Sequence, residues 1–228
     1  MARALPWPPL VGYRVTTEEA PVSRRSAIDV RSAFREIIET ILLTLIIFLV
    51  VRGLVQPYRV EGTSMEPNLH SGQFLLVNKA VYFHIDNETL AKYLPFLQRP
   101  DGRPFYLFQA PERGDVVVFR FPREPSRDFV KRVIAVPGET VEVRNGVVYI
   151  NGQRLNEPYL RDRASYNFGP EKVPPGNFFV LGDNRDNSSD SHVWGMVPSE
   201  MIIGKAWISY WPASEWGLAP NYRVTAGN

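Results

Sequence analysis

The pattern of apolar and polar positions changes character twice along the chain. Up to about Arg25, Pro6, Pro8, Pro9 and Pro21 stand among mixed charges with no apolar period, which predicts a disordered tail over residues 1–30. A helical pattern starts near Ser26-Ala27-Ile28-Asp29, whose Ser-x-x-Asp spacing suits an N-terminal cap. From Ile37 to Val55 (IIETILLTLIIFLVVRGLV) the chain is almost wholly aliphatic, with Glu39 near one end and Arg52 near the other. A buried core helix shows a polar stripe, and none runs from Thr40 to Val51. The length approaches the roughly 20 residues that cross a bilayer as a helix. The pattern therefore predicts a transmembrane helix over residues 31–55. A cleaved signal peptide would lie nearer the N-terminus, with a shorter apolar core and a small-residue end, whereas this segment continues into Arg-Gly-Leu-Val-Gln-Pro. Arg24, Arg25, Arg31 and Arg35 precede the span, and Arg52 and Arg59 follow it. That bias predicts a cytoplasmic N-terminus and an extracytoplasmic domain over residues 56–228, single-pass in the cytoplasmic membrane.

Beyond the span the period shortens to that of strands. Gln73–Val77, Val116–Phe121, Asp128–Val136, Phe178–Leu181 and Ile202–Tyr210 are short apolar runs bounded by turn residues. Val141–Arg144, Asn145-Gly146 and Val147–Ile150 spell a β-hairpin with a preferred two-residue turn, and Asn151-Gly152 offers a second. The fold class expected is mostly β and antiparallel, without long helices. Residues 82–108 depart from this: they are rich in aromatics, contain a short helical stretch from Glu88 to Leu94, and read as an inserted surface segment, with a lid or membrane-surface element as the alternative. From about Glu215 the chain reads as a loose tail.

Composition narrows the chemistry. There is no cysteine, which removes disulfides, thiol catalysis and thiolate metal sites. His70, His84 and His192 are scattered without ligand spacing, so neither a metal nor another cofactor is expected. A formal net charge of +2, with no dense Lys/Arg run, argues against a nucleic-acid partner.

A serine nucleophile needs a base, and Ser64 is the candidate. It lies in Gly62-Thr63-Ser64-Met65-Glu66-Pro67, where Gly permits positive φ and Pro restricts it, so the hydroxyl is held in a shaped turn. Three readings stand side by side: a Ser64–His192–Asp190 triad, a Ser64–Lys131 dyad, or a turn serine beside a solvated Lys131-Arg132 pair. On the Lys131 strand, Phe129, Lys131, Val133 and Ala135 share one face and Val130, Arg132, Ile134 and Val136 the other. Each face is apolar apart from one cation, so at least one cation is expected against hydrophobic surface, where a lysine pKa falls. The run Gly182-Asp-Asn-Arg-Asp-Asn-Ser-Ser-Asp-Ser191 lacks the order of a calcium loop and reads as a rigid loop whose side chains bond one another.

Four stretches, Gly62–Pro67, Arg113–Phe119, Lys131–Glu139 and Gly182–Ser191, follow a membrane span in order. Together they resemble the ordered boxes of type I bacterial signal peptidases, over Ile37 to about Pro212. The resemblance implies a membrane-bound serine endopeptidase on an antiparallel β fold, which removes signal peptides from exported preproteins after small residues, with preproteins and the lipid bilayer as partners. It implies Ser64 as nucleophile and Lys131 as general base. Ser188 would position the lysine, and Asp190, with His192, would support the site. Val60 and Val130 would line the substrate pockets, and the Ser64 N–H would stabilise the oxyanion. Position 62, where many relatives carry a second, hydroxyl donor, holds Gly62; Asn68 and His192 stand where Thr and Arg are common. The alternatives are an anchored, non-catalytic β-domain that binds exported chains and a self-cleaving Ser–Lys protease. From the charge bias, protease added outside spheroplasts should digest or release the domain beyond Gln56 and spare the first thirty or so residues. Protection of the C-terminal domain would refute this topology.

Overall fold

In the computed structural model, residues 30–85, 87–93, 96 and 104–227 are described. The tail expected over residues 1–30 lies outside them except for Val30, as does the Ser26–Asp29 cap. The chain divides into two units, Met1–Leu45 and Ile46–Asn228. Helix α1 (Val30–Leu54) carries the apolar segment; within its stretch Arg31–Leu54 an 18-residue window reaches a mean hydropathy of 2.4, and none of that window is buried among the described residues. Within the first unit the polar side chains of the helix are satisfied locally. Arg35 Nε pairs with Glu39 at 2.7 Å, and the Thr40 and Thr44 hydroxyls donate to the carbonyl oxygens of Glu36 and Thr40 at 2.7 and 2.8 Å. A hydroxyl bonded back to its own helix loses little in hydrocarbon.

In the second unit, strand β1 (Val55–Arg59) pairs antiparallel with β2 (Phe74–Asn78). Leu75 and Val77 point inward while Phe74, Leu76 and Asn78 stay half-exposed, as period-two alternation requires. The aromatic segment supplies β3 (His84–Ile85), α2 (Asn87–Tyr93) and β4 (Phe105–Tyr106), with β3 and β4 paired; Leu94, the expected end of α2, lies outside the described residues. Next come β5 (Val116–Phe121) and β6 (Glu124–Ala135), then the hairpin β7 (Thr140–Arg144) and β8 (Val147–Ile150). Asn145 and Gly146 both have positive φ in the hairpin turn, as do Asn151 and Gly152 in the turn to β9 (Gln153–Arg154). Strands β10 (Phe168–Lys172) and β11 (Asn177–Leu181), helix α3 (Ser191–Trp194), and strands β12 (Val197–Pro198), β13 (Ile202–Trp211) and β14 (Gly217–Leu218) complete the chain.

The main sheet has eight strands in the order β1-β2-β13-β5-β6-β11-β12, with β14 added to β13; a second sheet runs β10-β7-β8-β9. The fold is thus mostly antiparallel β. Strand β6 feeds all three hydrophobic clusters: Val130 packs against the one around Met65 and Leu69, Val133 lies in the one around Phe119 and Trp194, and Ile134 and Ala135 lie in the one shared with β7 and β8. The expected alternation breaks there. A register shift against β11 between Phe179 and Val180 puts Ile134 and Ala135 on the same core.

Residues after Glu215 are not a loose tail. Ala219 and Val224 are buried, the Val116 N–H donates to Asn221 Oδ1 at 2.8 Å, and Asn221 Nδ2 donates to the Ala206 carbonyl at 2.8 Å. One reason this end is held is Arg132. Its guanidinium, wholly buried, reaches Asp183 through two bonds of 2.8 and 2.6 Å, and also donates to the carbonyls of Gly114 and Pro220 at 2.8 and 2.6 Å. It lies 4.0 Å from the centroid of Tyr159. Arg132→Met should cost about 3–5 kcal/mol, because it strands the buried Asp183 carboxylate. Unfolding by denaturant in detergent measures this, and a loss below about 1 kcal/mol would show that the pair is not an anchor.

Candidate active site

Ser64 sits in a turn between β1 and β2. Gly62, at φ 81°, reverses the chain before Thr63. The Glu66 N–H closes on the Thr63 carbonyl at 3.1 Å, and the N–H groups of Asn68 and Leu69 close on the Met65 carbonyl at 3.0 and 2.9 Å. Met65 and Leu69, each 1% exposed, pin the turn to the core beneath. The Ser64 N–H has no acceptor among the described residues, so it is available to a ligand.

Lys131 comes from the middle of β6, paired with Val117 of β5. Its Nζ lies 2.6 Å from Ser64 Oγ and donates to the Val130 carbonyl at 3.0 Å. Only 4% of the residue is exposed, and its amine stands 5.6 Å from the centroid of the Phe129 ring. Burial pushes its pKa down to about 8, with Asp190 and Asp183 opposing from a distance. Both cations of the Lys131-Arg132 pair are buried, but among the described residues only Arg132 contacts a carboxylate.

The loop 182–191 encloses the site, and its side chains work differently from the expectation that they bond one another. Residues of the short turn Arg185–Asn187 and its flanks send their side chains to different partners. Asp183 takes Arg132 and Asn68 Nδ2 (2.9 Å), Arg185 pairs with Glu157, and Asp186 accepts from Ser165. Asn68, the residue standing in place of a threonine, is thereby tied to the buried carboxylate and to the Tyr159 carbonyl. Asn184 and Asn187 reach Thr63. Asp190, wholly buried, accepts from the Gly182 N–H at 2.9 Å and bonds His192 Nδ1 at 2.6 Å, so it joins the two ends of the loop. The His192 ring stacks on Tyr166 at 3.9 Å. Ser64 Oγ therefore meets Lys131, while His192 faces Asp190 and Tyr166. Ser188 Oγ is buried with no hydrogen-bond partner among the described residues; the bond expected between it and Lys131 is not formed, and the Val130 carbonyl holds the amine instead. A side chain on Gly182 would collide with Ser188 Oγ and the Ser64 carbonyl, which is why the backbone comes so close there.

Ser64, Lys131, Val60 and Val130 all line one cleft of about 620 Å³. Leu75 and Val118 add to its apolar floor, and Asn187 and Ser189 stand at its polar side. Reading the sequence missed the Arg132–Asp183 pair, the Asn184 and Asn187 contacts, Leu75 and Val118. The signal for the asparagines was present in the density of polar side chains in their loop. Leu75 and Val118 carry none, because they look like every other core residue. A serine hydroxyl against a buried amine without a carboxylate partner can pass its proton to that amine, the chemistry of a serine hydrolase with a lysine base.

A family model described as signal peptidase, peptidase S26, matches residues 34–211. The chain is 38% identical over 191 residues to a probable signal peptidase I-1 of Synechocystis sp., covering 80% of this chain and 85% of that protein. It is 40% identical over 203 residues to the signal peptidase I of Leptolyngbya laminosa (84% and 88% covered). To the signal peptidase I of Bacillus amyloliquefaciens it is 34% identical over 210 residues (87% and 96%). The chain belongs to the signal peptidase family, peptidase S26.

The depressed pKa of Lys131 carries a thermodynamic signature. Folded, the amine titrates near 8; unfolded, near 10.5. Between these values the unfolded chain binds more protons, so this group makes stability rise with pH, by about 3 kcal/mol in all. Lys131→Met should be more stable than wild type at pH 7 by that order, with the gap closing toward pH 10.5. A pH-independent difference between the two unfolding curves would contradict the buried, depressed amine.

Proposed function

We propose that the chain is a membrane-anchored serine endopeptidase that removes signal peptides from exported preproteins, with Ser64 as nucleophile and Lys131 as general base. The observation that carries this reading is the 2.6 Å approach of a buried lysine amine to Ser64 Oγ on an open cleft. Family membership supports the peptidase activity, the apolar helix α1 supports the anchor, and the arginines before the span support a cytoplasmic N-terminus with residues 56–228 on the extracytoplasmic side.

Substrate binding follows from the sheet. Strand β1 ends the sheet and pairs only with β2, and β6 pairs with β11 only from Arg132 onward. Two strand edges, near Tyr58–Val60 and Arg127–Val130, thus border the cleft, and an extended peptide adds between them. Its alternate side chains, those at −1 and −3, point the same way. They meet the floor built from Val60, Leu75, Val118 and Val130, which leaves room for small residues.

Neutral Lys131 accepts the Ser64 proton as Oγ attacks the scissile carbonyl. The developing oxyanion takes the Ser64 N–H. Lys131 returns the proton to the departing amine, then draws one from the water that hydrolyses the acyl-enzyme. Asp190 and His192 hold the loop that closes on this site, and Ser188 contributes a buried hydroxyl beside Gly182. Trp207, Trp211, Trp216 and Leu218, all exposed on β13 and β14 or beside them, are large apolar side chains suited to the lipid interface.

Ser64→Ala, Lys131→Ala and Lys131→Arg should each abolish cleavage of a preprotein, since a guanidinium stays protonated. The wild-type rate should rise about tenfold per pH unit up to about 8 and then level, as the amine loses its proton. Detergent-solubilised enzyme, a preprotein and N-terminal sequencing of the product provide the measurement. An active Lys131→Arg enzyme would place the base elsewhere.

A further inference from the structure

Most polar side chains of the loop 182–191 are committed to the scaffold, but two go to the turn that carries Ser64. Asn184 holds the N-cap position of the turn Arg185–Asn187, where an asparagine ordinarily accepts from its own turn. It makes no such bond. Its Nδ2 donates instead to the Thr63 carbonyl oxygen at 3.2 Å, and its backbone N–H donates to the Ser64 carbonyl at 3.0 Å. Asn187 Nδ2 donates to Thr63 Oγ1 at 2.8 Å.

The identity of the first acceptor matters. Thr63 C=O and Ser64 N–H are the two ends of one planar peptide. A donor on the oxygen fixes the plane, and with it the direction of the N–H, and polarises the amide so that the N–H becomes a stronger donor. The Thr63 oxygen already accepts the Glu66 N–H at 3.1 Å from within the turn, and its second lone pair takes Asn184 from outside. Gly62 cannot supply another donor: it has no side chain, and the space where one would begin is empty. The Ser64 N–H thus stands without a side-chain partner from position 62.

We infer that Asn184 is a positioning residue for the oxyanion site, orienting and strengthening the Ser64 N–H through the Thr63–Ser64 peptide. This rests on Ser64 being the nucleophile. Asn184→Ala in the full-length, detergent-solubilised enzyme should lose about tenfold in kcat on a preprotein with KM unchanged, the worth of one hydrogen bond felt in the transition state. The apparent pKa of its pH–rate profile should stay at the wild-type value, because the contacts of Lys131 are untouched.

Two inhibitors separate this role from a merely structural one. A substrate-like peptide aldehyde adds to Ser64 Oγ, sends the serine proton to Lys131, and leaves an oxyanion on the former carbonyl oxygen. The matching peptide alcohol forms no such adduct. Asn184→Ala should weaken the aldehyde by the same factor as kcat and leave the alcohol unchanged, whereas a loosened site would weaken both. Asn184→Asp keeps the shape and the backbone N–H but turns an acceptor toward the Thr63 oxygen; it should lose at least as much, and it provides the test if the alanine variant does not fold. An unchanged kcat, or equal weakening of the two inhibitors, with Ser64→Ala still dead, would overturn the inference. Cleavage by Ser64→Ala would instead overturn the nucleophile assignment.

Discussion

The buried contact between Arg132 and Asp183 is the constraint on which the rest of the second unit depends. Removing a guanidinium and a carboxylate from water costs several kcal/mol each, and only good geometry with full satisfaction of the remaining groups offsets that. Here the two ends meet in a fork, and the leftover donors find the Gly114 and Pro220 carbonyls. Asn68 completes the carboxylate. One interaction therefore fastens β6, the loop 182–191, the turn before β5, the Ser64 turn and the C-terminal segment. Arginine suits the position because it stays charged and its planar fork matches a carboxylate.

The neighbouring cation behaves in the opposite way for the same reason. Lys131 is almost as buried as Arg132, but the nearby carboxylates are already engaged: Asp183 with Arg132 and Asn68, Asp190 with Gly182 and His192. Burial without a carboxylate in contact disfavours the ammonium, which is how an amine becomes a usable base near neutral pH. Two adjacent residues on one strand thus receive opposite electrostatic treatment, one anchored as a permanent charge and the other kept ready to lose it.

The same accounting of polar groups governs the helix. At the start of the apolar stretch, Arg35 pairs with Glu39 one turn on, and within it Thr40 and Thr44 return their hydroxyls to the helix backbone. Each is a short-range solution available to any helix with those residues at that spacing. In the second unit the solutions are long-range, and they come from different strands and loops.

That difference in range separates what the sequence determined alone from what tertiary structure decided. The apolar helix α1, strand β5, the β7–β8 hairpin with its Asn-Gly turn, and the helix Asn87–Tyr93 were legible because each depends on periodicity or turn chemistry within a few residues. Ser64 and Lys131 were legible through the motifs around them, although 67 positions separate them and no local rule brings them to 2.6 Å. The partner of Arg132 was not legible, since strand alternation says which face a side chain takes and not which distant carboxylate will meet it. Nor was the order of the C-terminal segment, whose polar composition reads as a tail until Asn221 is seen bonding Val116 and Ala206. The asparagines of the loop 182–191 looked self-contained, and only the approach of the Ser64 turn gave Asn184 and Asn187 their acceptors on Thr63. Local propensity acts through backbone geometry and so can be read from neighbouring residues; the satisfaction of buried charge is settled only when the whole chain has closed around it.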